Sequence, residues 1–327
     1  MYLPAMAQFW IVNLNTTDKV AVCSRSFSRH PILRAELLAR YANVTFNDAG
    51  TTLAGGELVA FLHNHDKAIT ALERIDGTIL SHLPQLKVIG KYGVGLDMID
   101  MAAMHRYGKR LGWTGGVNCR SVSELVISLA IAMLRHVPVA QREVLGGNWR
   151  QHVGGLLSGR TVGIIGCGFI GKDLVKLLQP WGCTILANDI LDFPDFYARY
   201  RVTSTGLEEL LHRSDVVTLH VPLDETTRNM ISADRLHLMK PSAILINAAR
   251  GGLVDEAALK VMLAERGLAA AAFDVFAEEP PQDAELLNLP NFLVTPHIGG
   301  SAEEAILAMG RAAIDGLDIN EIPKELT

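Results

Sequence analysis

The sequence predicts an α/β protein of two doubly wound, parallel-sheet domains, the second inserted into the first. Three observations predict it. Short apolar runs alternate with helical patterns along most of the chain. In the second half these runs are apolar at consecutive positions, as strands covered on both faces of a parallel sheet must be. One of them opens directly into a glycine-rich turn, and the last helical pattern, residues 302–317, reads as folding back onto the first domain.

A chain of 327 residues is long enough for two cores. With 49% hydrophobic and 20% charged residues it has the balance of a folded globular protein. The net charge of -5 is interspersed, and no Lys/Arg block points to nucleic acid. Cys23, Cys119, Cys167 and Cys183 have no C-x-x-C spacing, so the chain reads as reduced and cytoplasmic. The opening MYLPAMAQFWIVNLN lacks a basic start and is too short to span a bilayer. It reads as a loose extension or an extra strand. The apolar stretch 125–134 is broken by Ser128 and ends at Arg135 and His136, which predicts a buried helix, not a membrane span.

Taken in order, Val20–Cys23 predicts a strand and Pro31–Tyr41 a helix with Ile32, Leu33, Leu37 and Leu38 on one face. Residues 68–72, 77–79 and 86–89 are short apolar stretches of the same βα layer. Ser121 and Glu124 have capping-box spacing at the head of a long helix, Ser121–His136. Gly146, Gly147, Gly154 and Gly155 mark a loop, with Trp149 and Trp113 as packing anchors. Six apolar runs follow, at 162–165, 184–187, 216–220, 243–247, 269–273 and 292–295.

The first of these runs continues into Gly166-Cys167-Gly168-Phe169-Ile170-Gly171. Gly166 suits the tight turn, Gly168 a close approach to a pyrophosphate, and Gly171 tight helix–strand packing. The free N–H groups and dipole of the helix that follows favour phosphate. Asp189 stands at the end of the second run, near the spacing of roughly 20 residues expected of an acid that holds a ribose diol. Together these predict a dinucleotide site.

Three further residues follow strand-like runs: Arg250 in NAARGG, Glu279 in FDVFAEEPP and His297 in TPHIGG. Reducing a 2-oxo acid by hydride transfer needs this set. A guanidinium grips the carboxylate and oxo group. An imidazole supplies the proton for the developing alkoxide, and a carboxylate orients that imidazole and favours its charged form. Asp274 ends the 269–273 run and could bond a nicotinamide amide or cap the strand.

The chain resembles the D-isomer-specific 2-hydroxyacid dehydrogenase family, with a 3-phosphoglycerate dehydrogenase-like pattern and the expectation of no regulatory domain at the C-terminus. The matching segments run in the family's order: KYGVGLDMID, GGVNCRSVSEL, GRTVGIIGCGFIGKDL, LHVPLDETTRNMI, INAARGGLVDEAAL, AAFDVFAEEPP and VTPHIGGSAEEA. The resemblance implies a Rossmann NAD-binding domain, residues 118–298, inserted in a discontinuous flavodoxin-like substrate domain, residues 1–117 and 299–327. It implies Arg250, Glu279 and His297 as catalytic residues, and domain closure over the cofactor. It implies NAD contacts from Gly166, Gly168, Phe169, Ile170, Gly171, Asp189, His220, Pro222, Thr227, Ala248, Asp274 and Gly299. Val94 and Gly95 would hold a substrate carboxylate through backbone N–H groups. Lys91 and Arg120 flank that loop and the long helix, which suggests a substrate with a second anionic group, such as a phosphate, phosphonate or carboxylate. A homodimer through the NAD-binding domains is implied, with the helix from Ser121 and the Trp149 loop at its interface. Oxidation of formate or phosphite, or an NAD(H)-sensing corepressor role, are the alternatives the same resemblance offers.

Asp189 sets an expectation about the cofactor. A 2′-phosphate within about 4 Å of its carboxylate would meet a repulsion of about 4 kcal/mol per charge pair at an effective dielectric of about 20. Replacing NADH by NADPH should therefore lower kcat/KM at least about tenfold. Equal use of the two in steady-state kinetics would show that Asp189 is not the ribose acid.

Overall fold

The computed structural model describes residues 14–324, so the reading of the first thirteen residues lies outside the described part. The chain forms two compact units, residues 14–118 with 303–324 and residues 119–302.

The first unit holds strands β1 (Asn15–Val22), β2 (Tyr41–Phe46), β3 (Lys67–Thr70), β4 (Val88–Lys91) and β5 (Arg110–Gly112). They are all parallel, in the order β2-β1-β3-β4-β5. The helix expected over 31–41 stops at Leu38, and Tyr41 instead opens β2. The reason is tertiary: the Tyr41 ring is buried and its hydroxyl bonds Asp318 and Lys67, partners far away in sequence. Local helical periodicity yields to that slot beside β1. The apolar stretch at 77–79 lies in a short helix, Gly77–Ser81, whose first turn is capped by Asp76.

Helices cover both faces of this sheet. Leu58, Leu62, Leu80, Leu83 and Met104 form the core on one side. Phe27, Leu33, Leu37, Ile314 and Leu317 form it on the other. Each such side chain contributes about 1.5–3 kcal/mol when fully buried. Ile314 belongs to the C-terminal helix Glu303–Gly316, which packs on β4 and β5 and makes this unit discontinuous in sequence.

The second unit holds β6 (Thr161–Ile165), β7 (Thr184–Asn188), β8 (Val202–Ser204), β9 (Val216–Leu219), β10 (Ile244–Asn247), β11 (Ala270–Phe273) and β12 (Phe292–Val294). The sheet is parallel throughout, in the order β12-β11-β10-β9-β6-β7-β8. All six expected runs are strands. The seventh, β8, is an edge strand with only Val202 buried, too short and polar to stand out as a pattern. The strand order reverses between β6 and β9, which opens a crevice at their carboxyl ends.

Two expectations about the segment between the units' strands are corrected. The long helix spans Cys119–Leu134, so Ser121 lies inside it and is not its cap; the Ser121 hydroxyl donates to the Gly299 carbonyl at 2.6 Å. A second helix, Val137–Leu145, then follows a left-handed turn at His136. Trp149 is 84% exposed among the described residues, too open for a packing anchor, while Trp113 is partly exposed and donates its indole N–H to the Val94 carbonyl. No single helix among the described residues is long and apolar enough to cross a membrane.

Candidate active site

The glycine turn sits where β6 meets the crevice. Gly166 has φ +94°, and a Cβ there would stand 2.5 Å from the His220 carbonyl oxygen at the end of β9. A Cβ on Gly171 would meet the Gly166 carbonyl oxygen at 2.3 Å. The turn can therefore close only without side chains at these two positions. A Cβ on Gly168, by contrast, would meet nothing within 4 Å. The helix that follows, Phe169–Leu178, has no side-chain cap, so its first N–H groups are left for a ligand. This open, uncapped turn is a cradle of the kind a pyrophosphate fills.

Asp189 closes the cradle at the end of β7. Its carboxylate accepts the Cys167 N–H at 2.6 Å and the Leu191 N–H at 2.8 Å, which fixes the acid beside the turn. On the other side, burial pushes the His220 imidazole down to about 3, so it stays neutral. Its Nε2 lies 3.0 Å from the Thr218 hydroxyl, and its buried Nδ1 has no hydrogen-bond partner among the described residues. After β9, the Thr227 hydroxyl donates to the Pro222 carbonyl and accepts the Asp224 N–H, folding that loop back on itself. The donors, the acid and the open space fit a dinucleotide.

Arg250, Glu279 and His297 follow β10, β11 and β12, three neighbouring strands, so the sheet delivers all three to one end. His297 Nδ1 lies 2.9 Å from Glu279 Oε2. The other Glu279 oxygen accepts the Phe276 N–H at 3.1 Å, which holds the carboxylate in place. With Nδ1 committed to the carboxylate, Nε2 is the ring nitrogen left for proton exchange. Both side chains are about half exposed.

His297 has φ +55°, a conformation that costs a non-glycine residue of order 1–3 kcal/mol. Asp274 holds it there. The Asp274 carbonyl accepts the His297 N–H at 2.9 Å. Its buried carboxylate accepts the Thr295 hydroxyl, the Ile298 N–H and the Gly299 N–H at 2.6, 2.8 and 2.7 Å. The acid assigned by resemblance to the nicotinamide side is thus also the clamp of the histidine loop.

The arginine loop packs on the glutamate loop through Gly251, where a Cβ would stand 1.9 Å from the Phe276 carbonyl. Only glycine permits this approach. Arg250 is half-buried, its Nη1 donates to the Ala249 carbonyl, and its own carbonyl accepts an N–H of Asn247. Ala248, between them, is buried at the end of β10.

The expected substrate contacts are placed as follows. Lys91 ends β4, is 5% exposed, and donates to the Ala71 and Tyr92 carbonyls. Val94 and Gly95 lie half-buried in the loop that follows. Arg120 instead makes a two-pronged pair with Asp173, at 2.8 and 2.9 Å, and holds that carboxyl below the usual carboxylate range. Its fork ties the Cys119–Leu134 helix to the helix after the glycine turn. Sequence reasoning missed this pair, the clamp made by Asp274 and the contact at Gly251. The Gly-Gly after Arg250 was the one visible signal.

Residues 127–299 match the family model "D-isomer specific 2-hydroxyacid dehydrogenase, NAD binding domain". The chain is 38% identical over 272 residues to D-3-phosphoglycerate dehydrogenase of Methanocaldococcus jannaschii, covering 80% of this chain and 51% of that protein. It therefore spans about half the length of that relative. It is 35% identical over 284 residues to glycerate dehydrogenase of Methylorubrum extorquens, covering 84% of this chain and 88% of that one. Among solved structures, the pyruvate reductase of Chlamydomonas reinhardtii superposes with a TM-score of 0.78 at 26% identity, covering 94% and 96% of the two chains. The chain belongs to the D-isomer specific 2-hydroxyacid dehydrogenase family, a family of oxidoreductases, and its cofactor is NAD.

Proposed function

We propose that this protein interconverts a D-2-hydroxy acid and its 2-oxo acid. The observation that carries the reading is the 2.9 Å pairing of His297 with Glu279 at the carboxyl ends of the same sheet whose glycine turn and Asp189 fit NAD. NAD, when bound along Gly166–Gly171 and Asp189, supplies the hydride acceptor or donor. The chain's own residues do the rest. Arg250 binds the carboxylate and oxo group through its planar fork. His297 gives its Nε2 proton to the oxygen that becomes the hydroxyl, and takes it back in the oxidation direction. Glu279 keeps the imidazole oriented and stabilises its charge. The rate gain comes from contacts that strengthen as negative charge grows on that oxygen.

Glu279→Gln replaces the carboxylate that faces His297 Nδ1 by a neutral amide, and should lower kcat for 2-oxo acid reduction at least about tenfold while leaving the Kd for NADH unchanged. An unchanged kcat would separate Glu279 from His297. Tight NADH binding with no turnover of any 2-oxo acid would replace catalysis by NAD(H) sensing.

We further propose a substrate with a second anionic group, with Lys91 and the amides of Val94 and Gly95 as its anchors. The similarity to a phosphoglycerate dehydrogenase and the position of Lys91 at the end of β4 support this. Lys91→Ala should raise KM at least about tenfold for dianionic acids and much less for glyoxylate. An equal KM for every dianionic acid tested, in variant and parent, would sink it.

A homodimer through the NAD-binding unit completes the proposal. Leu145, Trp149, Val153 and Leu156 are 79, 84, 95 and 68% exposed along the Val137–Leu145 helix and the loop after it. Large apolar side chains exposed this far along one segment favour a protein partner. Sedimentation velocity at micromolar concentration should give a dimer that Trp149→Ala weakens. A stable monomer for the parent chain would overturn it.

A further inference from the structure

The edge of the cradle beyond Asp189 carries an unusual density of aromatic residues and cations. The loop Ile190–Phe193 leads into the helix Pro194–Tyr200. Phe193, Phe196, Tyr197 and Tyr200 form one connected group, with Phe193 edge-on to Tyr197 at 6.0 Å and Phe196 against Tyr200 at 4.7 Å. Lys172 comes from the first turns of the helix after the glycine turn, and its ammonium lies 3.3 Å from the Phe193 ring centroid and 5.7 Å from that of Phe196. Arg199 lies over the Tyr200 ring at 5.6 Å. Arg201, the third cation here, ends the helix at φ +52°.

This arrangement has two consequences for the adenosine end of the cofactor. First, the contact of Lys172 with Phe193 pins the loop after Asp189 to the helix that begins at the glycine turn. It adds a second tether to the Asp189–Cys167 hydrogen bond. Second, it takes Lys172 and Arg199, two of the three cations, out of play. A ribose 2′-phosphate carries a charge of about -1.5 to -2, and beside Asp189 it would need a cation to neutralise it. The two cations whose side-chain contacts are defined at this edge, Lys172 and Arg199, are both seated on ring faces, where the attraction is to the aromatic quadrupole. Ile190, fully exposed, and Leu191, 61% exposed, offer no charge in their place.

We infer that the aromatic rank Phe193–Phe196–Tyr200 is a cofactor-selecting element, which keeps the protein specific for NAD by holding Lys172 away from the 2′ position and by fixing the loop that carries Asp189. The inference rests on NAD as the cofactor and not on the identity of the substrate. In the parent chain Phe193 and Lys172 engage each other and not the cofactor, so both are positioning residues.

The test is a pair of titrations, NADH and NADPH, followed by nucleotide fluorescence on the full chain, which gives Kd without any substrate. In Phe193→Leu the freed ammonium should lower the ratio of NADPH to NADH Kd at least about fivefold. Phe193→Tyr keeps a ring face and should retain the parent ratio. Adding Lys172→Met to Phe193→Leu should abolish the gain in NADPH binding. Lys172→Met alone removes no core side chain, and should weaken NADH binding about threefold without improving NADPH binding. The inference is overturned if Phe193→Leu leaves the ratio unchanged, if the gain survives the loss of Lys172, or if Lys172→Met leaves NADH binding unaltered.

Discussion

The buried carboxylate of Asp274 holds the loop that carries His297 in place. It sits at the end of β11 and gathers three donors from residues 295–299, and its backbone carbonyl takes the N–H of His297. A histidine at positive φ is unstable by itself. Charge-assisted hydrogen bonds in a buried setting are strong enough to impose that conformation. The strained backbone aims the imidazole at Glu279, and the Phe276 N–H fixes Glu279 in turn. Gly251 then seats the arginine loop on the same segment. Loops from three adjacent strands are thus cross-linked into one rigid rim.

Electrostatics around the glycine turn follow the same logic of fixed partners. Asp189 is oriented by two backbone N–H groups, and His220 is kept neutral by burial. Arg120 and Asp173 satisfy each other, and Lys172 and Arg199 rest on aromatic rings. The helix start at Phe169 leaves its donors without a side-chain cap. Those donors suit the negative charge of a phosphate, and on the inference drawn above a phosphate on the ribose would face Asp189 with Lys172 held on Phe193.

Much of this was legible in the residues. The six buried strands announced themselves as continuous apolar runs, because strands covered on both faces have no polar positions to spare. The glycine fingerprint and Asp189 were readable because each position answers a steric or charge requirement of its own. What escaped was set by distant partners. Tyr41 looked helical until its hydroxyl met Asp318 and Lys67. Ser121 looked like a cap, yet its hydroxyl serves Gly299. Arg120 looked available for an anion, yet Asp173 takes its fork. β8 was too short for any periodicity to register.

By itself the sequence determined the fold class, the order of the strands along the chain, the glycine turn and the presence of an arginine, a glutamate and a histidine after successive strands. Those properties depend on local steric demands and on burial, which leave a pattern in residue order. Only the tertiary structure decided the strand order within each sheet, the pairing of His297 with Glu279, the double duty of Asp274, the close approach at Gly251 and the seating of Lys172 on Phe193. Each of these depends on groups that the fold brings within a few ångströms from positions far apart in the chain. No local pattern encodes such a distance.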